Sequence, residues 1–144
     1  MRARRRSDER GIALAVAVFA LVVIGALVAG TFFAGRLEQQ TGMNTFFAAQ
    51  ATEAAEAGLS EAVASQTAAA LLALDPNETN ELPLVNVGDH TSATRSVTRL
   101  AGNLFLVRSL GSRTNPAGGE LARRSLGQLI RLVQADIEVN AGLT

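Results

Sequence analysis

Residues 12–35 form an uncharged run of 24 residues directly behind an arginine-rich leader, and no proline interrupts the chain before Pro76. A helix needs about 20 apolar residues to cross the roughly 30 Å of hydrocarbon in a bilayer, and a helix satisfies all of its own backbone hydrogen bonds there. The interruptions within the run are small: Gly25, Gly30 and Thr31. The pattern predicts one membrane-spanning helix, and whatever follows must hang from it.

Beyond the run lie 109 residues, enough for one small domain and too few for two. The chain has no cysteine, so disulfides and thiolate metal sites are excluded, and a domain outside the membrane would have to hold together by packing alone. All thirteen basic residues are arginine, which together with the abundant alanine reads as the bias of a GC-rich bacterial genome. Net charge is zero but unevenly spread: the leader carries +3, residues 36–81 carry −6 and residues 82–144 carry +3. Basic residues beside a first membrane segment stay cytoplasmic, which places the leader inside and the chain after Gly35 outside the cytoplasm.

From Arg36 to Leu74 the sequence keeps helix formers, so the expected helix runs nearly unbroken over residues 12–74: a transmembrane segment at 12–35 and an amphipathic extracytoplasmic segment at 36–74. Met43, Phe47, Ala51, Ala54, Gly58, Ala62 and Leu72 fall near one stripe, with Glu53, Glu56 and Glu61 off it. Asp75-Pro76-Asn77 ends the helix, because proline lacks a donor and restricts the residue before it. A polar loop is expected to about Ser92. Residues 94–100 and 104–110 then flank Ala101-Gly102-Asn103, the pattern of a β-hairpin with a short turn. Residues 111–119 read as a loop, and residues 121–133 alternate as a third strand. The expected fold class is α+β: a long N-terminal helix packed at its far end on a small antiparallel sheet formed within residues 75–144. The tail, residues 134–144, is undecided and leaves open that the chain is a fragment.

Three segments together resemble the type IV pilin-like proteins. Arg10-Gly11-Ile12-Ala13-Leu14, at the start of the apolar run, looks like the site at which a prepilin peptidase cuts after the glycine. Ala48-Ala-Gln-Ala-Thr-Glu-Ala-Ala-Glu-Ala-Gly-Leu59 is similar to the alanine- and glutamate-rich stretch of PilX-like minor pilins. Arg108-Ser-Leu-Gly-Ser112, a glycine-rich loop and Ala122-Arg-Arg-Ser-Leu126 are similar to the strand, loop and strand those proteins carry. The resemblance implies removal of the leader, residues 1–11, with methylation of the new terminal amine of Ile12. It also implies partners: the inner membrane, a prepilin peptidase and other pilins or pseudopilins in a helical filament. Major pilins carry a glutamate at the fifth mature position, which here is Val16. The apolar run therefore has no buried carboxylate to pair with a neighbour's amine, a departure similar to that of tip pseudopilins, and it favours a tip or initiating subunit.

Other readings of the same residues stand beside this one. A secretory signal peptide would place a cut near Ala29-Gly30-Thr31 or Ala34-Gly35, but the run exceeds the usual apolar core and the helical pattern continues past it. A plain signal anchor holding a periplasmic domain needs no cut at all. Gly25, Ala29 and Gly30 supply small-residue spacing for close helix contact, and Phe46 and Phe47 would meet neighbouring helices above the membrane. Glu53, Glu56 and Glu61 form either a solvated face or one side of a contact with arginines of an adjacent subunit. His90 has no cysteine or second histidine nearby, so neither zinc nor a catalytic dyad is supported. The arginines of the sheet could meet nucleic acid, but the chain has no tyrosine or tryptophan to stack bases, and Phe105 is the only aromatic beyond the helix. No nucleophile with a partner base, phosphate loop or metal cluster is recognisable, so neither an enzyme nor a cofactor is expected.

Overall fold

A computed structural model describes residues 5–133, with side chains from Gly11 onward. The basic leader side chains and the undecided tail lie outside the described residues. The fold is α+β, as the periodicities predict. Helix α1 (Arg5–Ser65) and a short helix α2 (Ala68–Leu72) precede four strands, β1 (Thr79–Gly88), β2 (Thr91–Arg99), β3 (Leu104–Thr114) and β4 (Glu120–Arg131). The chain divides into two compact units, Met1–Met43 and Asn44–Thr144.

In the first unit, α1 is clothed in apolar side chains with no protein around them; Phe19 is 69% and Phe32 73% exposed. By length and composition this helix can cross a membrane.

In the second unit, the strands form an antiparallel meander in the order β1-β2-β3-β4, and residues 44–65 of α1 lie on one face of it. Strand alternation sends Ala93, Arg95 and Val97 of β2 and Phe105, Val107 and Ser109 of β3 toward the helix, and all six are buried. The helix meets them with Ala51, Ala54, Ala55 and Ala62, all fully buried. These fall at the i, i+3, i+4 spacing that forms a single face. Leu71 of α2 closes one end over Val97, Phe105 and Val107, with Leu59, Val63 and Ile130 packed around them. Burying a Val or Phe side chain contributes roughly 1.5–3 kcal/mol, so this small cluster is the main apolar anchor of the unit.

Four expectations are corrected. The helix does not continue to Leu74, because α1 stops at Ser65 and Thr67 adopts an extended conformation (φ −98°, ψ 152°) as the N-cap of α2. The Thr67 hydroxyl accepts from the Ala70 N–H at 3.2 Å, which favours a restart over continuation. The offset turns Leu71 inward and leaves Leu72 exposed, while Met43 is also exposed; neither belongs to the buried stripe. The expected polar loop before Ser92 is mostly strand β1, whose Pro83 sits at an irregularity between Leu82 and Val85 on the sheet edge, where a missing N–H is tolerated. Finally, residues 111–114 belong to β3, and the β3–β4 loop is confined to residues 115–119.

Two turns depend on left-handed glycines. Gly102 (φ +57°) turns β2 into β3 and Gly118 (φ +84°) turns β3 into β4, where the Asn115 N–H donates to the Gly119 carbonyl at 2.8 Å.

Candidate functional site

In the first unit, Gly11, Gly25 and Gly30 are open on the helix surface: a Cβ added at any of them would meet nothing within 4 Å. Ile12 and Val16 are exposed, and no charged side chain interrupts α1 between Gly11 and Arg36. Ala29 is exposed on the same stretch. The junction residues and the small residues thus lie along an apolar surface suited to lipid or to other helices. In the second unit, Phe46 is exposed and Phe47 half-buried, their rings 6.0 Å apart at an interplanar angle of 54°.

The sheet's arginines, which the sequence presents as one basic population, separate into two groups. Arg95 is only 5% exposed; its guanidinium donates twice to the Pro83 carbonyl, at 2.7 and 3.3 Å, and lies 3.6 Å from the Glu61 carboxylate. It ties α1 to the irregular stretch of β1. Arg99 donates to the carbonyls of Leu72 (3.0 Å), Leu74 (2.6 Å) and Gly102 (3.1 Å) and stacks over Phe105 at 6.0 Å. It thereby satisfies carbonyls that the end of α2 leaves without partners. Arg113 donates to the Asp89 carbonyl and Arg123 pairs with Glu120. These roles were missed in the sequence because the partners are mainly backbone carbonyls, which every residue carries. Arg108 and Arg131, by contrast, are exposed and have no hydrogen-bond or ion-pair partner among the described residues.

Glu53 and Glu56 are exposed on the helix and have no hydrogen-bond or ion-pair partner among the described residues, Glu53 bordering the β1–β2 turn end of the sheet. Glu61 differs, since it flanks the sheet and faces Arg95. His90 sits in the turn between β1 and β2 with left-handed backbone (φ 57°), where its carbonyl accepts from the Thr114 N–H at 2.8 Å. A cleft of about 340 Å³ nearby is lined by Gln50, Glu53, Asp89, Thr91 and Arg113. It holds charge of both signs but no nucleophile with a base beside it. Among the described residues no group of three or more His, Cys, Asp or Glu could hold a metal ion.

Among the described residues the exposed surfaces include an uncharged helix, the helix stretch bearing Glu53 and Glu56, and a sheet face on which Arg108 and Arg131 make no hydrogen bond or ion pair. Comparison with protein-family models, with curated proteins and with solved structures finds no match to this chain.

Proposed function

We propose that this chain is a minor pilin or pseudopilin, a structural subunit of a type IV pilus or type II secretion-like filament. One observation carries the reading. A single helix, α1, holds the Gly11–Ile12 junction, the uncharged run and the alanine face that seats on an antiparallel sheet. A plain anchor needs only the middle element; an assembling subunit uses all three. On this reading the chain waits in the inner membrane with its N-terminus cytoplasmic and its sheet outside. A prepilin peptidase cuts after Gly11, Ile12 becomes the methylated terminus, and the apolar helix exchanges lipid for neighbouring pilin helices. Val16 leaves that helix without a carboxylate, which suits a subunit at the tip or one that initiates assembly.

The rival reading is a signal-anchored periplasmic domain, which Val16 accommodates equally well. Co-expression with a prepilin peptidase separates them. The wild-type chain should lose its first eleven residues and Gly11→Leu should stay full-length; shortening of both to the same size sinks the proposal. Co-purification of the processed chain with other pilins is the second expected result.

A further inference from the structure

The two edges of the sheet are built differently. Strand β4 pairs with β3 in unbroken register from Leu104 opposite Arg131 to Arg113 opposite Ala122. Strand β1 pairs with β2 in two short pieces, residues 79–82 and 85–86, separated at Pro83-Leu84, and a second irregularity precedes Gly88. Pro83 has no N–H to give a ladder. Apolar burial does not compensate, because in β1 only Leu82 and Val85 are half-buried and the rest is exposed. Strand β4 also lacks a fully buried residue, so the edges differ in the continuity of their ladders. In place of continuous pairing, side chains from the neighbouring strands grip the backbone of this stretch. Arg95 of β2 donates from Nε and Nη2 to the Pro83 carbonyl, at 3.3 and 2.7 Å. Arg113 of β3 donates from Nη1 to the Asp89 carbonyl, and the Thr114 N–H donates to the His90 carbonyl at 2.8 Å. The same turn walls the cleft beside Gln50 and Glu53. There Gln50 Oε1 and Arg113 Nε are buried without a hydrogen-bond partner, a cost that access of water removes.

We propose that residues 83–90 form a latched strap, which opens as a unit from the edge of β2 while the helix and strands β2, β3 and β4 stay packed. Arg95 and Arg113 are the latches: their contacts with the Pro83 and Asp89 carbonyls exist only when the strap is closed. The opening starts at the break between Leu82 and Val85, because the ladder on the other side of it is continuous into the loop before β1. There the Arg99 N–H donates to the Glu78 carbonyl at 3.0 Å and the Asn77 N–H to the Arg99 carbonyl at 2.8 Å. Local opening of this kind requires few buried apolar contacts and an interrupted ladder, and this stretch has both. Once open, the strap lets water reach Gln50 and Arg113. It also bares the backbone of β2 over residues 91–93, which contain no proline to protect an edge. The inference uses only the second unit and does not rest on leader processing or on assembly.

The test is hydrogen exchange of the full chain in detergent, read by mass spectrometry. Amides of residues 84–90 are expected to exchange as a group, with protection about tenfold or more below that of the β3–β4 ladder. Arg95→Met keeps an apolar stem in the buried position but cannot donate to Pro83, and should lower the protection of the strap by about tenfold. Arg113→Met makes the same test at the turn. Val107→Ala is the contrast: its packing persists when the strap opens, so it should speed exchange in β3 and β4 while leaving the strap within about twofold. Asn86 and Ser92 face each other across the ladder in a chain without native cysteine, so N86C/S92C can be compared oxidised and reduced. Oxidation should slow exchange of the strap about tenfold or more. A strap as protected as β3 and β4 overturns the proposal, as does a Val107→Ala chain in which the strap accelerates equally, since the strap would then open only with global unfolding. Unchanged strap protection in both arginine variants, or on oxidation of the cysteine pair, overturns it as well.

Discussion

Gly111 lies directly beneath Ala51: a Cβ placed on Gly111 would fall 2.1 Å from the Ala51 carbonyl oxygen and 2.5 Å from the Ala55 nitrogen. Helix backbone therefore rests on strand backbone with no side chain between them. A few residues along, Gly58 makes the reciprocal approach, its hypothetical Cβ lying 2.5 Å from the Ser109 hydroxyl and 2.6 Å from the Ala93 Cβ. Gly58 sits in a helix interior, where glycine costs about 1 kcal/mol relative to alanine, and this contact is the compensation.

Substituting either glycine should separate the layers. Gly111→Val meets backbone, which cannot rotate away, and is expected to cost more than about 3 kcal/mol; Gly58→Val meets a hydroxyl and a methyl and should cost roughly 2–3 kcal/mol, including any overpacking strain. Urea denaturation of the detergent-solubilised chain, followed by circular dichroism, checks both values. A Gly111→Val protein as stable as the wild type would show that the layers are not in this contact.

Arg99 should matter far more than an exposed arginine. Its three carbonyl acceptors and its stacking on Phe105 predict that Arg99→Ala loses about 2–3 kcal/mol, since charge-assisted hydrogen bonds contribute more than neutral ones. Arg99→Lys should recover less than half of that loss, because an ammonium cannot reproduce the planar fork. Arg108→Ala is the matched control, expected within about 0.5 kcal/mol of wild type. The thermal midpoints of the three variants provide the comparison.

Arg95 and Glu61 form an asymmetric pair. Glu61 is 54% exposed and 3.6 Å from the guanidinium, so Glu61→Gln should change stability by less than about 1 kcal/mol. Arg95→Ala removes a buried side chain and leaves the Pro83 carbonyl without its donor, so a loss of about 2–4 kcal/mol is expected. Equal effects in a denaturation series would mean that the ion pair, rather than the contact with β1, is what Arg95 provides.

How much of this was legible in the sequence follows from the range of the interactions. Ala51, Ala54, Gly58 and Ala62 were recognisable because a helix face is a local periodicity. The hairpin of β2 and β3 was recognisable from Ala101-Gly102-Asn103 for the same reason. Strand β1 was hidden by Pro83 and by its place at the sheet edge, where most of its residues are exposed and its apolar alternation is weak. Gly111 falls in a segment whose composition predicts a loop, because glycine in a strand and glycine in a turn look alike without knowledge of the helix above it. The division of the arginines into those engaged by carbonyls and those left free required the tertiary fold.

The mature N-terminus, read by intact mass and N-terminal sequencing of the chain purified from cells that contain a prepilin peptidase, tests the proposed function most directly. The proposal predicts a chain beginning at Ile12 with a methylated amine. A chain that retains Met1, or one that begins near Thr31, would contradict it.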